Sequence, residues 1–320
     1  MKQPKLMTQR LRPVLPVSGR GLAAIVLMFV GSVVGFAQAN EGGQNDPLHG
    51  QHILKPFRII GNIYYVGLDN NTSYLITTPQ GHIFIDPTYE GAVPLIRKSI
   101  EQLGFRPKDI KFVLNAHAHG DHVEGLAAFK ELTGGKVLVM SGDAPAIADG
   151  GKSTSRNGQQ QWRPVRVDKT LHDGDEVRLG GVTLVAHLTP GHTKGCTTWS
   201  TVAEENGRKY NVVFVCSVGV NAGTVLVGNT KYPEIAEDYK KSFSVLRSLP
   251  CDVFLASHGR FFHLEEKVKR MEQGGGSNPF IDPAGYQAYI TESERLFQEA
   301  LQKAQSAAPQ RGSSTSGRGI

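Results

Sequence analysis

The sequence predicts an α/β fold in which two mixed sheets pack face to face with helices on their outer faces. Three observations carry this. The first stretch, from Pro56 to Asp86, reads as a meander of strands separated by turns. After it, strand and helix alternate, in two stretches of similar plan. The residues best suited to chemistry then fall in short turns directly after strands, at the carboxyl ends where open α/β sheets carry their sites.

The elements follow in order. Phe57–Gly67, Ser73–Thr78 and His82–Pro87 are rich in β-branched and aromatic residues, with Asp69-Asn70-Asn71 and Pro79-Gln80-Gly81 as turns between them. A helix over Ala92–Leu103 has Val93, Ile96, Ile100 and Leu103 near helical spacing and stops at Gly104. Ile110–Leu114 is a buried strand, and a helix opens at about Val123. A strand at Lys136–Ser141 and a short helix at Asp143–Ala148 lead to a polar, glycine-rich stretch, 150–161, expected to be a mobile surface loop near a site.

Strands between Val165 and Val185 join at His172-Asp173-Gly174-Asp175 and at Gly180-Gly181. The strand Thr183–Pro190 delivers Gly191-His192-Thr193. Cys196–Val202 and Tyr210–Ser217 form a hairpin about Glu205-Asn206-Gly207. Helix Ile235–Leu249, strand Asp252–Ala256, the turn Ser257-His258-Gly259 and helices near 263–273 and 283–304 complete the chain. No repeat of 20 to 50 residues is present.

The two ends differ from the middle. A basic, acid-free segment (Lys2, Lys5, Arg10, Arg12, Arg20) precedes the apolar run Leu22–Phe36 and the small-x-small site Ala37-Gln38-Ala39, the order of a cleaved export signal over residues 1–39. The run is shorter than the roughly 20 residues that span a bilayer and is interrupted by Gly31 and Gly35. Cleavage after Ala39 lowers Lys+Arg from 35 to about 30 against 29 acids, so the formal charge falls from +6 to about +1. The basic balance therefore belongs to the signal and argues for no nucleic-acid partner and no membrane partner after cleavage. A single domain over 40–305 and a disordered tail over 306–320 are expected.

The centre of the sequence is Asn115-Ala116-His117-Ala118-His119-Gly120-Asp121-His122, directly after the strand Ile110–Leu114. In extended backbone His117 and His119 share one side, while Gly120 permits a turn that presents Asp121 and His122 elsewhere. That supplies a pair of ligands for each of two metal ions. Imidazoles and a carboxylate so close together suit a borderline cation such as zinc, and burying them without one is costly. His192 and His258 lie in glycine-containing turns after strands and complete two sets: His117, His119 and His192 for one ion, and Asp121, His122 and His258 for the other. Three protein ligands per ion leave an open position on each, the mark of a catalytic site.

With His117–His122 (HAHGDH), Thr189–Thr193 (TPGHT) and His258 in place, the sequence resembles the metallo-β-lactamase superfamily over nearly all of Phe57–Leu301. It is most similar to the third subclass of zinc β-lactamases, on Thr189–Trp199, Lys231-Tyr232-Pro233, Glu237–Phe243 and Leu249–Asp252. The resemblance implies an αβ/βα sandwich with the site along one edge of the sheets, two Zn2+ per chain on the six ligands above, and a periplasmic, monomeric enzyme. Its partner would be a small-molecule β-lactam, whose strained cyclic amide it hydrolyses. Asp121 would bind its ion through one oxygen and orient the nucleophile with the other. Ser217, helped by Asn221, would bind the substrate carboxylate, although Gly219 stands where relatives often have another hydroxyl.

The resemblance also separates close relatives. Glyoxalase- and lactonase-type members place a metal-bridging aspartate on the strand that corresponds to Asn211–Gly223, and here that segment contains no acid. An exported lactonase on the same fold, or a non-catalytic zinc-binding scaffold, are the competing readings. Asp86, at the end of its strand, either accepts a hydrogen bond from a ligand imidazole or simply ends the strand.

Of the three cysteines, Cys196 and Cys216 lie at similar distances on the two arms of the hairpin, so a Cys196–Cys216 disulfide is expected, as in some family members. Cys216 and Ser217 are neighbours on a strand, so if Ser217 faces the site Cys216 faces away. Cys251 is expected to be a buried free thiol. The other histidines (His49, His52, His82, His172, His187, His263) have no second ligand at a useful spacing.

Overall fold

In a computed structural model of the chain, residues 46–154, 158–274 and 276–307 are described. The expected signal segment, most of the expected tail, and residues 155–157 of the glycine-rich stretch lie outside the described residues.

The first sheet has seven strands in sequence order: β1 (Phe57–Ile60), β2 (Ile63–Tyr65), β3 (Tyr74–Thr78), β4 (Gly81–Ile85), β5 (Ile110–Leu114), β6 (Lys136–Met140) and β7 (Lys169–Leu171). The meander β1–β4 is antiparallel, and β4 to β7 are parallel. Parallel neighbours need crossovers, and α1 (Val93–Gln102), α3 (Leu126–Thr133) and α4 (Ala144–Asp149) lie in those connections. The second sheet runs β12-β11-β10-β9-β8, from β8 (Glu176–Leu179), β9 (Val182–Leu188), β10 (Thr197–Glu205), β11 (Arg208–Val215) and β12 (Val253–Ala256). All its pairs are antiparallel except β11 with β12, which are joined through α5 (Ile235–Ser248). The expected second run of alternating strand and helix is therefore mostly a meander with one crossover.

Strand alternation sorts the apolar residues into layers. Ile76, Ile83, Ile85, Leu138 and Met140 turn toward the second sheet. Leu75, Phe84, Val113, Val137 and Val139 turn outward and pack with Ile96, Ile100 and Phe129 of α1 and α3. Between the sheets, Phe214 meets Tyr74 edge-on at 5.0 Å, and Trp199 donates its indole N–H to the Asn115 carbonyl at 3.1 Å. On the far side, after α6 (Leu264–Gln273), α7 (Pro283–Ala307) lies against α5, where Phe297 contacts Tyr239 and Phe243 at 5.1 and 5.7 Å between ring centroids. The result is the αβ/βα sandwich expected, and among the described residues no helix is long and apolar enough to cross a membrane.

Three local expectations change. The helix expected to open near Val123 is two, α2 (Gly120–Val123) and α3, because the chain breaks at Gly125. A Cβ there would stand 2.8 Å from the Pro87 and Tyr89 carbonyls, and the Gly125 N–H donates to Thr88 O at 2.7 Å. Gly120 needs no glycine-only conformation: its φ is not positive and a Cβ would meet nothing. The turn after His119 is simply the start of α2, with His119 extended (φ −112°, ψ 153°). At the other end α7 runs through Ala307, two residues into the expected tail.

The disulfide joins Cys196 and Cys216, with Cα atoms 5.9 Å apart. Cys251 is free but only partly buried, and burial pushes its thiol up to about 12.

Two stability outcomes follow from this packing. Phe84→Ala removes a fully buried ring stacked at 4.1 Å on Phe129, so denaturant titration should show a loss of about 3–5 kcal/mol. The double change Cys196→Ser, Cys216→Ser opens a link between residues 20 apart in sequence and should cost about 3 kcal/mol by the same measurement. An unmoved midpoint in either variant would contradict the corresponding contact.

Candidate metal centre

All six predicted ligands converge on the edge where β5, β9 and β12 end. β5 terminates at Leu114, and the extended 115–119 segment carries His117 and His119 before α2 presents Asp121 and His122. The turn after β9 contributes His192, and the turn after β12 contributes His258. The His117 ring centroid lies 4.8, 4.2 and 4.7 Å from those of His119, His122 and His192. One ligand atom from each of His117, His119 and His192 falls within a 4.8 Å cluster, and the same holds for His117, Asp121 and His122. His258 closes the second set: its Nε2 is 3.2 Å from His122 Nε2 and 3.7 Å from Asp121 Oδ2. His117 therefore stands between the two sets.

The surroundings fix which ring nitrogens face inward. His192 Nδ1 donates to the Gly219 carbonyl at 2.7 Å, which leaves Nε2 for the cluster. His122 Nδ1 faces Asp86 Oδ2 at 3.1 Å, and the other Asp86 oxygen accepts the Ala116 N–H at 2.6 Å. Asp86 is thus both an acceptor for a ligand and the end of its strand. It holds φ +58°, and Thr88 beside it +56°, a backbone conformation uncommon outside glycine, so this corner is held by its contacts rather than by local preference.

The donor set fits a cation. His117 Nε2 is buried and has no hydrogen-bond partner among the described residues, a costly state for a lone pair unless something electropositive receives it. Burial pushes the pKa of His192 down to about 3 and those of His117, His119 and His258 below the usual imidazole range, with neighbouring rings adding to the effect at His117 and His192. Neutral imidazoles are what metals bind. His122 is the exception. Burial opposes its charge, but the carboxylates of Asp121 and Asp86 outweigh that and carry it up to about 10. Asp121, whose burial alone would raise it, is held well below the ordinary carboxylate range by His122, His258 and Asn71. That pair marks where positive charge is wanted, a place a metal ion would take over from the His122 proton.

Sequence reasoning missed three supporting residues. Asn71, read as turn punctuation, is fully buried and donates its amide to the Asp121 carbonyl at 3.1 Å and to Asp121 Oδ2 at 3.0 Å. Asn70 places its amide 3.3 Å from His258 Nδ1. Asp143, read as the first residue of a short helix, stands at the N-cap of α4 without capping it, and instead bonds to the two segments that carry His117, His119 and His192. Turn residues with polar side chains are common, and nothing in their spacing marks these.

Two expectations meet a different geometry. Ser217 is 2% exposed, and its hydroxyl accepts from the Gly219 N–H at 3.4 Å. Asn221 is exposed in a turn whose Thr224 N–H returns to its carbonyl at 3.0 Å. Neither side chain is hydrogen-bonded to the six ligands among the described residues. Cys216 does not face away from the site. β11 stops at Val215, so strand alternation no longer governs, and Cys216 Sγ lies 3.6 Å from His117 Nδ1, on the ring's outer side. Bonded to Cys196, it supports the ligand and cannot compete for the ion.

Residues 66–258 match the family model of the metallo-beta-lactamase superfamily. Among solved structures, the FEZ-1 metallo-beta-lactamase of Legionella gormanii is similar at 46% identity and TM-score 0.78, with 80% of this chain and 98% of that chain covered. BJP-1, a subclass B3 metallo-beta-lactamase of Bradyrhizobium japonicum, is similar at 36% identity and TM-score 0.74, over 79% of this chain and 96% of that one. Among curated sequences, the hydroxyacylglutathione hydrolase of Methylococcus capsulatus is 32% identical over 130 residues, which is 40% of this chain and 42% of that enzyme. The chain thus spans about two fifths of the length of that curated relative, and nearly all of the two solved structures. The sandwich, the six converging ligands and these similarities place the chain in the metallo-β-lactamase superfamily, beside its subclass B3 enzymes.

Proposed function

We propose that this protein is an exported dinuclear zinc β-lactamase that opens the four-membered lactam ring of penicillins, cephalosporins and carbapenems, giving resistance to them. The observation that carries this reading over the glyoxalase and lactonase alternatives is on the exit from β11. That segment brings a backbone carbonyl, Gly219 O, to His192, and from Asn211 to Gly223 it has no acidic side chain to place between two ions. The likeness to FEZ-1 over 98% of that chain supports the same choice. The basic and apolar N-terminal pattern and the disulfide support function in an oxidising compartment, the periplasm.

His117, His119 and His192 would hold one Zn2+, and Asp121, His122 and His258 the other. Bound there, the pair of ions would supply Lewis acidity toward an amide carbonyl and a nucleophile at neutral pH. The chain's own groups do the rest. The contacts of Asp121 with Asn71, His122 and His258 all fall on Oδ2, leaving Oδ1 to orient the attacking water and accept its proton. As the hydroxyl adds to the carbonyl carbon and the C–N bond breaks, that proton passes to the released ring nitrogen. Asn221, exposed in the turn after β11, would supply a donor for a substrate carboxylate, while Ser217 steadies the Gly219 turn that orients His192.

Turnover of nitrocefin, a penicillin and a carbapenem should disappear on chelation and return with added zinc. An acyl-homoserine lactone and a glutathione thioester run alongside should be poor substrates; hydrolysis of either of those alone would defeat the proposal. Asp121→Asn should reduce kcat by on the order of 10²–10⁴ with a smaller change in KM, and a variant that kept wild-type kcat would remove Asp121 from the proton path.

A further inference from the structure

We propose that Asp143 is a positioning residue for the first cation set, and that its loss weakens that set more than the second. Asp143 is 3% exposed and accepts three hydrogen bonds of 2.8 Å each: from the Ala118 N–H and the Thr193 hydroxyl on Oδ2, and from the Gly195 N–H on Oδ1. Ala118 lies between His117 and His119, and Thr193 follows His192. One carboxylate thereby ties together the two segments that supply the whole first set, although they are more than 70 residues apart in sequence.

The backbone is fitted to this tie. A Cβ on Gly195 would come 2.4 Å from Asp143 N and 2.7 Å from its Cβ and Cγ. A Cβ on Gly142 would come 2.3 Å from the Lys194 carbonyl oxygen and 2.7 Å from Gly195 N. Both glycines are required by close approach, so the turn before α4 and the His192 turn pack backbone to backbone. Asp143 makes no hydrogen bond to the second set, which is steadied by Asp86 on His122, Asn71 on Asp121 and Asn70 on His258; of these only Asp86 also reaches the first set, through the Ala116 N–H beside His117.

All three partners of Asp143 are donors, so only a group with two acceptor oxygens satisfies them. Asparagine keeps the shape but turns an NH2 toward at least one N–H or O–H, and the two ligand segments lose their common anchor. Since partners behind the ligands set metal affinity by about 10- to 100-fold, removing this one should weaken one site and spare the other.

The inference rests on the dinuclear reading, and the experiment separates the two. Full-length processed protein, wild type and Asp143→Asn, is stripped and titrated with Co2+ and with Zn2+ against a competing chelator, with metal content and the cobalt absorption spectrum recorded. Wild type should bind two ions. Asp143→Asn should lose about 10- to 100-fold in affinity at the all-imidazole site alone, so that one cobalt band set fades and the other persists. Thr193→Val, which keeps the carboxylate and removes one of its donors, should shift the same site by less, and it carries the comparison if Asp143→Asn fails to fold. Equal weakening of both sites, or of neither, in a folded variant overturns the role assigned to Asp143. A wild-type chain that binds fewer than two ions overturns the dinuclear reading itself.

Discussion

The structure depends on crowding six metal-type ligands into one buried edge of the sandwich. Five imidazoles and a carboxylate crowd together there, with ring nitrogens as close as 3.2 Å, and they do not satisfy every one of their own polar atoms. Burial strips the rings of their protons, and His117 Nε2 is left with a lone pair and no partner among the described residues. Where the local field is negative, at Asp121 and Asp86, the chain draws positive charge in, as the raised His122 shows. A bound cation resolves both conditions at once, which is why the cluster is read as a metal centre rather than as a polar core.

Holding such a cluster open for ions takes rigidity from outside it. Each ligand segment leaves the end of a different strand, so no local sequence fixes one relative to another. The ties are long-range: Asp86 to His122 and to Ala116 N, Asn71 to Asp121, Asp143 across to the His192 turn, and the Cys196–Cys216 bond behind His117. Positive φ at Asp86 and Thr88 shows that some of this rigidity comes at the expense of backbone ease, in the corner that the metal-bearing loop leans on. Packing of the two sheets through Trp199, Phe214 and Tyr74 supplies the fixed frame.

The division of labour among these supports has a chemical sense. One set of candidate ligands is purely imidazole, and the other includes the carboxylate of Asp121. Asp121 keeps its own hydrogen bonds to Asn71, while Asp143 bonds to the segments that carry the imidazoles of the other set. Ser217 and Gly219 belong to the same economy of structure, since the carbonyl that orients His192 comes from a turn steadied by a buried hydroxyl.

The sequence by itself determined most of the elements and named the candidate ligands. Periodicity placed β5, β9 and β12 and the residues that follow them, because strand and helix patterns are local and because imidazoles bunched after a buried strand have few other uses. The hairpin spacing also anticipated the Cys196–Cys216 bond. Tertiary structure alone decided how those ligands are supported: Asn70, Asn71 and Asp143 carry ordinary turn or cap residues' identities, and their partners lie far along the chain. It also turned Cys216 toward His117 and buried Ser217, because both follow the end of β11, where strand alternation no longer dictates direction. Local pattern fixes which residues leave a sheet edge, and the packing of one sheet on the other fixes what they meet.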